Sequence, residues 1–88
     1  MIVRTVKVLN RAGMHTRPAA AIVKLASEFS SDFYINKDGF QINGKSIIGV
    51  MTLAAAQGST LELTFEGADE AAMADAMADY FAKGFDEM

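Results

Sequence analysis

Two hydrophobic periodicities alternate along the chain, and their order is the feature that most limits its fold. Residues 60–66, TLELTFE, alternate apolar and polar side chains, which is typical of a strand with one buried face. The apolar residues Ala19, Ile22, Val23 and Ala26 are instead spaced as on one face of a helix. The whole chain follows the order β-α-β-β-α-β-α. This order predicts an α+β open-faced β-sandwich, with a four-stranded antiparallel sheet and three helices on one face.

Turn and cap residues mark the boundaries of these elements. Asp38 and Gly39 predict a type I′ hairpin, because that turn needs positive φ at both central positions. Pro18 fits the first turn of a helix, where its missing N–H costs no hydrogen bond. Gly84 fits the position just after a helix. We therefore predict strands over residues 2–8, 33–37, 40–42 and 60–66, with helices that begin at Thr16 or Arg17, span residues 47–53, and open within residues 67–70.

Large apolar side chains indicate where the core lies. We expect the strand phenylalanines Phe33, Phe40 and Phe65 to be buried. The short second helix has more apolar residues than one buried face requires. We assign Ile48 and Val50 of that helix to the core.

Length and composition limit the classes of protein to which this chain can belong. The 88 residues predict one domain over 1–88, and 51% hydrophobic with 22% charged residues indicates a folded globular chain. No apolar run approaches the roughly 20 residues of a membrane span, so we expect a cytoplasmic protein without membrane insertion. Without cysteine, and with one histidine, we expect no disulfide, no metal site and no cofactor.

Charge is distributed unevenly along the chain. Residues 1–27 contain five basic side chains and no acid, whereas residues 62–88 contain eight acids and one lysine. We therefore expect a positive end and a negative end of the molecule. A positive surface suits nucleic acid, a small anion or an acidic protein surface, and the charge pattern alone leaves these three open.

Residues 13–20 read GMHTRPAA and contain His15, the only histidine. A lone histidine most often has no catalytic task, but this one directly precedes a helix whose first N–H groups lack partners. Such a helix end attracts anions, and Arg17 adds a guanidinium group suited to phosphate oxygens. Gly13 allows the loop to bend, and Pro18 fixes the helix start. His15 can thus accept a phosphoryl group that another protein presents, and Thr16 can cap the helix or contact the anion.

GMHTRPAA, together with GKSIIGVMTLA over residues 44–54, resembles the two signatures of the HPr family, the histidine-containing phosphocarriers of the bacterial phosphoenolpyruvate-dependent phosphotransferase system. The resemblance extends over nearly the whole chain. It implies that His15 takes a phosphoryl group on Nδ1 from enzyme I and passes it to a IIA domain. It also implies that Arg17 and the backbone N–H groups of Thr16 and Arg17 stabilise that group. The protein would be a covalent intermediate in a phosphotransferase chain and not a free-standing enzyme.

Ser46 precedes the second helix and can cap it through its hydroxyl oxygen. The resemblance implies that HPr kinase/phosphorylase phosphorylates Ser46. Ile47 and Met51, four residues apart, look like an exposed docking patch, and in the family that patch meets enzyme I, the kinase and IIA domains. We expect a monomer that binds these proteins, and a transcription regulator where one is present, but no nucleic acid.

Two other classes of function are consistent with a chain of this kind. One is a regulatory interaction protein of the nitrogen-branch or catabolite-control type. The ending GFDEM is similar to the nitrogen branch, whereas GKSIIGVM is similar to the sugar branch. Family members of the purely regulatory kind lack the histidine, so His15 favours transfer. The other class is a ferredoxin-like domain that binds RNA or metal, which would need exposed sheet aromatics or cysteine ligands.

Overall fold

A computed structural model describes residues 1–88 and has the predicted order of elements. None of its helices has the length and apolar content that crossing a membrane requires. A short 3-10 turn over Gly84–Asp86, which the sequence did not predict, follows the last helix. The strands are β1 (Ile2–Lys7), β2 (Asp32–Lys37), β3 (Phe40–Asn43) and β4 (Thr60–Glu66), and the helices are α1 (Thr16–Ala26), α2 (Ile47–Thr52) and α3 (Glu70–Ala82).

The sheet has the strand order β1-β4-β2-β3. Strand β4 is internal, because β1 and β2 pair antiparallel with its two edges, and β3 pairs antiparallel with β2. Along β4, Leu61, Leu63 and Phe65 are buried while Glu62 is exposed, as the alternation predicted. Residues from all three helices join these side chains in one core, which confirms the open-faced α+β sandwich.

Aromatic stacking defines the centre of this core. The rings of Phe33 and Phe65 lie parallel, with centroids 5.0 Å apart and 7° between their planes. The hairpin between β2 and β3 is confirmed as well, because Asp38 and Gly39 have φ of 52° and 84°. The helices bury Ala19, Ile22 and Ala26 from α1, Val50 from α2, and Met73, Ala74, Met77 and Phe81 from α3.

Two core predictions were wrong. Phe40 is 55% exposed, because it pairs with Lys37 beside the hairpin turn on the edge strand, at the margin of the sheet. Ile48 is 76% exposed, whereas Val50 is fully buried. Residues that are two positions apart in a helix differ by about 200° around its axis, so Ile48 points away from the surface that buries Val50.

A hydrogen-bonded carboxylate joins the loop after α1 to the start of α3. Asp69 accepts hydrogen bonds from the backbone N–H groups of Ser30 and Ser31, each at 2.9 Å, and from the Ser31 hydroxyl. These bonds, with the Ser31 hydroxyl contributing most and the Ser30 N–H next, lower the pKa of Asp69 from 3.8 to about 2. The ionised carboxylate therefore contributes to the stability of the fold.

We predict that Asp69→Asn reduces the acid sensitivity of the fold. Because its pKa is lowered by folding, Asp69 adds stability above pH 3.8 that is lost as the pH falls through about 2. Urea unfolding between pH 7 and pH 2 should show a smaller loss of unfolding free energy across this window for Asp69→Asn than for the wild type. Glu62→Gln, which removes an equal charge from an exposed side chain, should keep the wild-type dependence. Identical pH profiles for Asp69→Asn and the wild type would contradict this role.

Candidate functional site

His15 occupies the residue position just before helix α1. Its backbone is extended, with φ −77° and ψ −170°, and its carbonyl accepts a hydrogen bond from the N–H of Ala19 at 3.0 Å. The imidazole does not cap the helix, and the N–H groups of Thr16 and Arg17 have no backbone acceptor. Pro18 lies buried in the first turn, as predicted. The helix therefore presents open N–H donors beside the imidazole.

The loop before α1 packs closely against the segment after α2, and this packing fixes the position of the backbone that leads into His15. The N–H of Met14 donates to the carbonyl of Ala55 at 2.9 Å. Gly13 has φ +71°, and a Cβ atom there would lie 2.6 Å from the Ala55 oxygen. Only glycine satisfies both the conformation and the contact, so the loop is anchored to the segment that follows α2.

Glu87 is the central carboxylate of the site, and no sequence pattern predicted it. Its Oε2 atom lies 3.0 Å from Nε2 of His15 and accepts from Nε and Nη2 of Arg17 at 3.0 and 2.6 Å. Its Oε1 atom accepts from Nδ2 of Asn10 at 2.7 Å and lies 3.2 Å from Nε2 of His15. Desolvation would raise the pKa of Glu87, but hydrogen bonds from Asn10, Arg17 and His15 outweigh it and hold the pKa below its usual value.

This contact corrects the predicted separation of charge. The acidic C-terminal segment returns to the basic N-terminal one, since Glu87 and His15 are 72 residues apart in sequence. Asp75 of α3 also accepts a hydrogen bond from Arg4 of β1. The only sequence signal was an acid near the chain end, and that signal did not indicate which basic residue it would meet.

An unusual backbone turn brings Glu87 to the site. Gly84, Phe85 and Asp86 have φ of 59°, 58° and 59°, so three successive residues are left-handed. This conformation costs about 1–2 kcal/mol for a residue with a Cβ atom. Burial of Phe85 offsets it, because the ring packs edge-on against Phe81 at 4.9 Å and tilted against Tyr80 at 5.4 Å between centroids. We call residues 84–88 the C-terminal strap.

Helix α2 places apolar side chains beside the histidine. Ser46 caps this helix as predicted, because its hydroxyl oxygen accepts from the N–H of Gly49 at 3.2 Å. Ile47 and Met51 are 39% and 44% exposed. A depression of about 370 Å³ is lined by Ala12, Met14, His15, Thr16, Met51, Ala54, Ala55 and Ala56. His15 and the exposed side of α2 therefore share one surface. No three His, Asp or Glu side chains are grouped so as to hold a metal ion.

The fold and this site define a class: small α+β domains with a single histidine at a helix N-terminus. A protein-family model, PTS-HPr, described as the PTS HPr component phosphorylation site, matches residues 2–83. The chain belongs to the HPr family of phosphocarriers of the phosphotransferase system.

Individual relatives agree with this assignment. The chain is 52% identical over 87 residues to phosphocarrier protein HPr of Treponema pallidum, with 99% of each chain covered. It is 41% identical over 83 residues to the HPr-like protein Crh of Halalkalibacterium halodurans, and the alignment covers 94% of this chain and 99% of Crh.

Solved structures match in the same way. A crystal structure of HPr from Thermoanaerobacter tengcongensis has a TM-score of 0.96 and 40% identity, with 100% of this chain and 99% of that chain covered. A second crystal structure, of the HPr dimer from that organism, has a TM-score of 0.77 and 40% identity, with 97% and 98% covered.

We predict that Gly13→Ala destabilises the protein more than Gly39→Ala does. Both glycines have positive φ, so alanine strains either backbone by about 1–2 kcal/mol. Only at position 13 would the added methyl meet a backbone atom, since nothing lies within 4 Å of it at position 39. Chemical denaturation should show an extra loss of at least about 1 kcal/mol for Gly13→Ala. Equal losses would show that the loop yields to the methyl group.

Proposed function

We propose that this protein accepts a phosphoryl group on His15 from phosphorylated enzyme I and passes it to IIA domains of the phosphotransferase system. In this role it acts as a monomeric domain of residues 1–88 in the cytoplasm. The observation that carries the proposal is the exposed imidazole of His15, which directly precedes the open N–H groups of α1 and contacts the same Glu87 carboxylate as the guanidinium group of Arg17. Neither a metal ion nor a cofactor is needed for this transfer.

The surroundings of His15 suit a phosphorylated imidazole. A phosphoryl group brings about two negative charges, which the N-terminus of α1 and Arg17 attract. The side chain of Arg17 is 76% exposed, so it can turn from Glu87 toward phosphoryl oxygens. The N–H groups of Thr16 and Arg17 supply further donors. Transfer to a second protein follows without a covalent change elsewhere in the chain.

We further propose that Ile47 and Met51, with the neighbouring exposed Ile48, form the docking surface for enzyme I and IIA domains. These side chains are exposed on α2, and Met51 lines the same depression as His15. An apolar patch beside a reacting group lets a partner bury surface while it aligns the donor with the imidazole.

Ser46 is the proposed site of regulatory phosphorylation by HPr kinase/phosphorylase. Its hydroxyl lies at the start of α2, directly before Ile47 of the docking surface. A phosphate there would add negative charge to the surface that partners contact and leave the imidazole unchanged. A transcription regulator could recognise that phosphorylated surface.

A second candidate function is a mainly regulatory interaction protein of the nitrogen-branch or catabolite-control type. The similarity to Crh favours it, as does the exposed α2 surface. His15 separates the two candidates, because only a phosphocarrier needs a reactive imidazole at this position. The IIA domain that takes the phosphoryl group would identify the branch of the phosphotransferase system and the final acceptor.

We predict that His15→Ala folds normally and accepts no phosphoryl group. The side chain of His15 is 41% exposed, so its removal opens no cavity in the core. The purified variant, enzyme I and labelled phosphoenolpyruvate would be mixed, and acid-labile label would be measured beside circular dichroism. Lys24→Ala, an exposed change on the same helix, should accept label like the wild type. Acid-labile label on folded His15→Ala would exclude His15 as the acceptor.

We predict that Ser46→Asp weakens binding to enzyme I through charge. Ser46→Asn is the matched control, because asparagine also caps a helix but carries no charge. The apparent affinity for enzyme I should fall for Ser46→Asp alone at low salt. The difference should shrink as salt rises, since exposed charges are screened over about 10 Å at 0.1 M. Equal affinities of the Asp and Asn variants at low salt would show that Ser46 is only a helix cap.

A further inference from the structure

We propose that Glu87 is a positioning residue, which holds the His15 imidazole by Nε2 so that Nδ1 carries the free lone pair and attacks phosphorus. The inference rests on the proposed function of His15 and adds a residue and a role to it. Its basis is the contact of one carboxylate with the imidazole, the guanidinium group of Arg17 and the amide of Asn10.

The Glu87 carboxylate determines which ring nitrogen of His15 carries the proton. A carboxylate whose pKa lies below its usual value is ionised near neutral pH and can only accept hydrogen bonds. Both Oε atoms of Glu87 lie within 3.2 Å of Nε2 of His15, so Nε2 must be the nitrogen that donates. In the neutral imidazole the other nitrogen, Nδ1, then has the lone pair.

Glu87 is itself held in place from two sides, as a positioning group must be. Glu87 is fixed on the inner side by Asn10, a side chain 1% exposed whose Nδ2 bridges the carboxylate and the carbonyl of Gly13. On the outer side, the buried ring of Phe85 anchors the C-terminal strap against α3. Only 9% of the Glu87 side chain is exposed, so the carboxylate is part of the packed structure.

In the transfer reaction, Nδ1 of His15 is the nucleophile. The lone pair of Nδ1 forms the new N–P bond while the bond between phosphorus and the donor protein's side chain breaks, and the electron pair of the broken bond returns to that side chain. The accepting ring gains positive charge, which it shares with the Nε2–H group. The Glu87 carboxylate stabilises that charge across the existing hydrogen bond, as a carboxylate orients and stabilises a catalytic histidine elsewhere.

Substitution by glutamine tests the role, because three donors meet the two oxygens of Glu87. An amide has one oxygen, so Glu87→Gln would turn an NH₂ group toward Asn10, Arg17 or His15 and break the arrangement. Asp86→Asn is the matched control: it removes the same charge from the neighbouring exposed residue, and asparagine tolerates the positive φ of 59° there.

Two measurements decide the proposal. The ¹⁵N chemical shifts of the His15 ring report the tautomer without any partner protein, and rapid mixing with phosphorylated enzyme I reports the rate of phosphoryl acceptance. We expect the Nε2–H tautomer to dominate in the wild type and Asp86→Asn. In folded Glu87→Gln both tautomers of His15 should be populated. The rate of phosphoryl acceptance should fall about tenfold, which is the scale of one lost hydrogen bond to a charged group.

The possible results separate this role from the proposed function. Wild-type protein that takes no phosphoryl group on His15 overturns the proposed function. If the wild type is phosphorylated but Glu87→Gln keeps its tautomer or its rate, positioning by Glu87 is overturned and the phosphocarrier role stands. A faster Glu87→Gln variant also overturns positioning, because it would show that Glu87 restrains Arg17. An equal slowing in Asp86→Asn would assign the effect to net charge and overturn the proposal as well.

Discussion

The antiparallel pairing of β1 with β4 is the constraint on which the site depends. Lys7 pairs with Thr60, so the loop that leaves β1 and the segment that enters β4 lie at one end of the sheet. Backbone hydrogen bonds continue this pairing into the loops, since Val8 exchanges bonds with Ser59 and Gly58. The C-terminal strap that follows α3 returns to the same region through the contact of Glu87 with His15. Three segments distant in sequence thus meet around one imidazole.

Electrostatics at this end depends on competition for a small number of donors. In the resting structure, the carboxylate of Glu87 satisfies Arg17, Asn10 and His15 together. The N–H groups at the start of α1 remain without backbone acceptors. In the proposed function, a phosphoryl group on His15 would meet open donors on the helix and an exposed guanidinium group that turns to it from Glu87. The site combines a fixed side, at Asn10 and Glu87, with an adjustable side at Arg17.

Local signals predicted the elements well, because each depends on residues within one turn or one strand. The extent of β4, the hairpin at Asp38 and Gly39, and the cap at Ser46 all agree with the structure. Two of the failures concerned burial. Phe40 and Ile48 are apolar, but their exposure depends on where the sheet ends and which side of α2 meets the core. Composition and spacing do not contain that information.

By itself, the sequence determined the α+β class, the helix that begins beside His15 and the family resemblance that GMHTRPAA carries. These follow from local periodicity, from the fixed φ of Pro18 and from contiguous residues. Only the tertiary structure decided that Glu87 meets His15 and Arg17, and that Met51 lines the same depression. The physical reason is that these contacts join residues far apart in sequence. Their geometry is set by strand pairing, by the burial of Phe85 and by three left-handed residues, which no local pattern specifies.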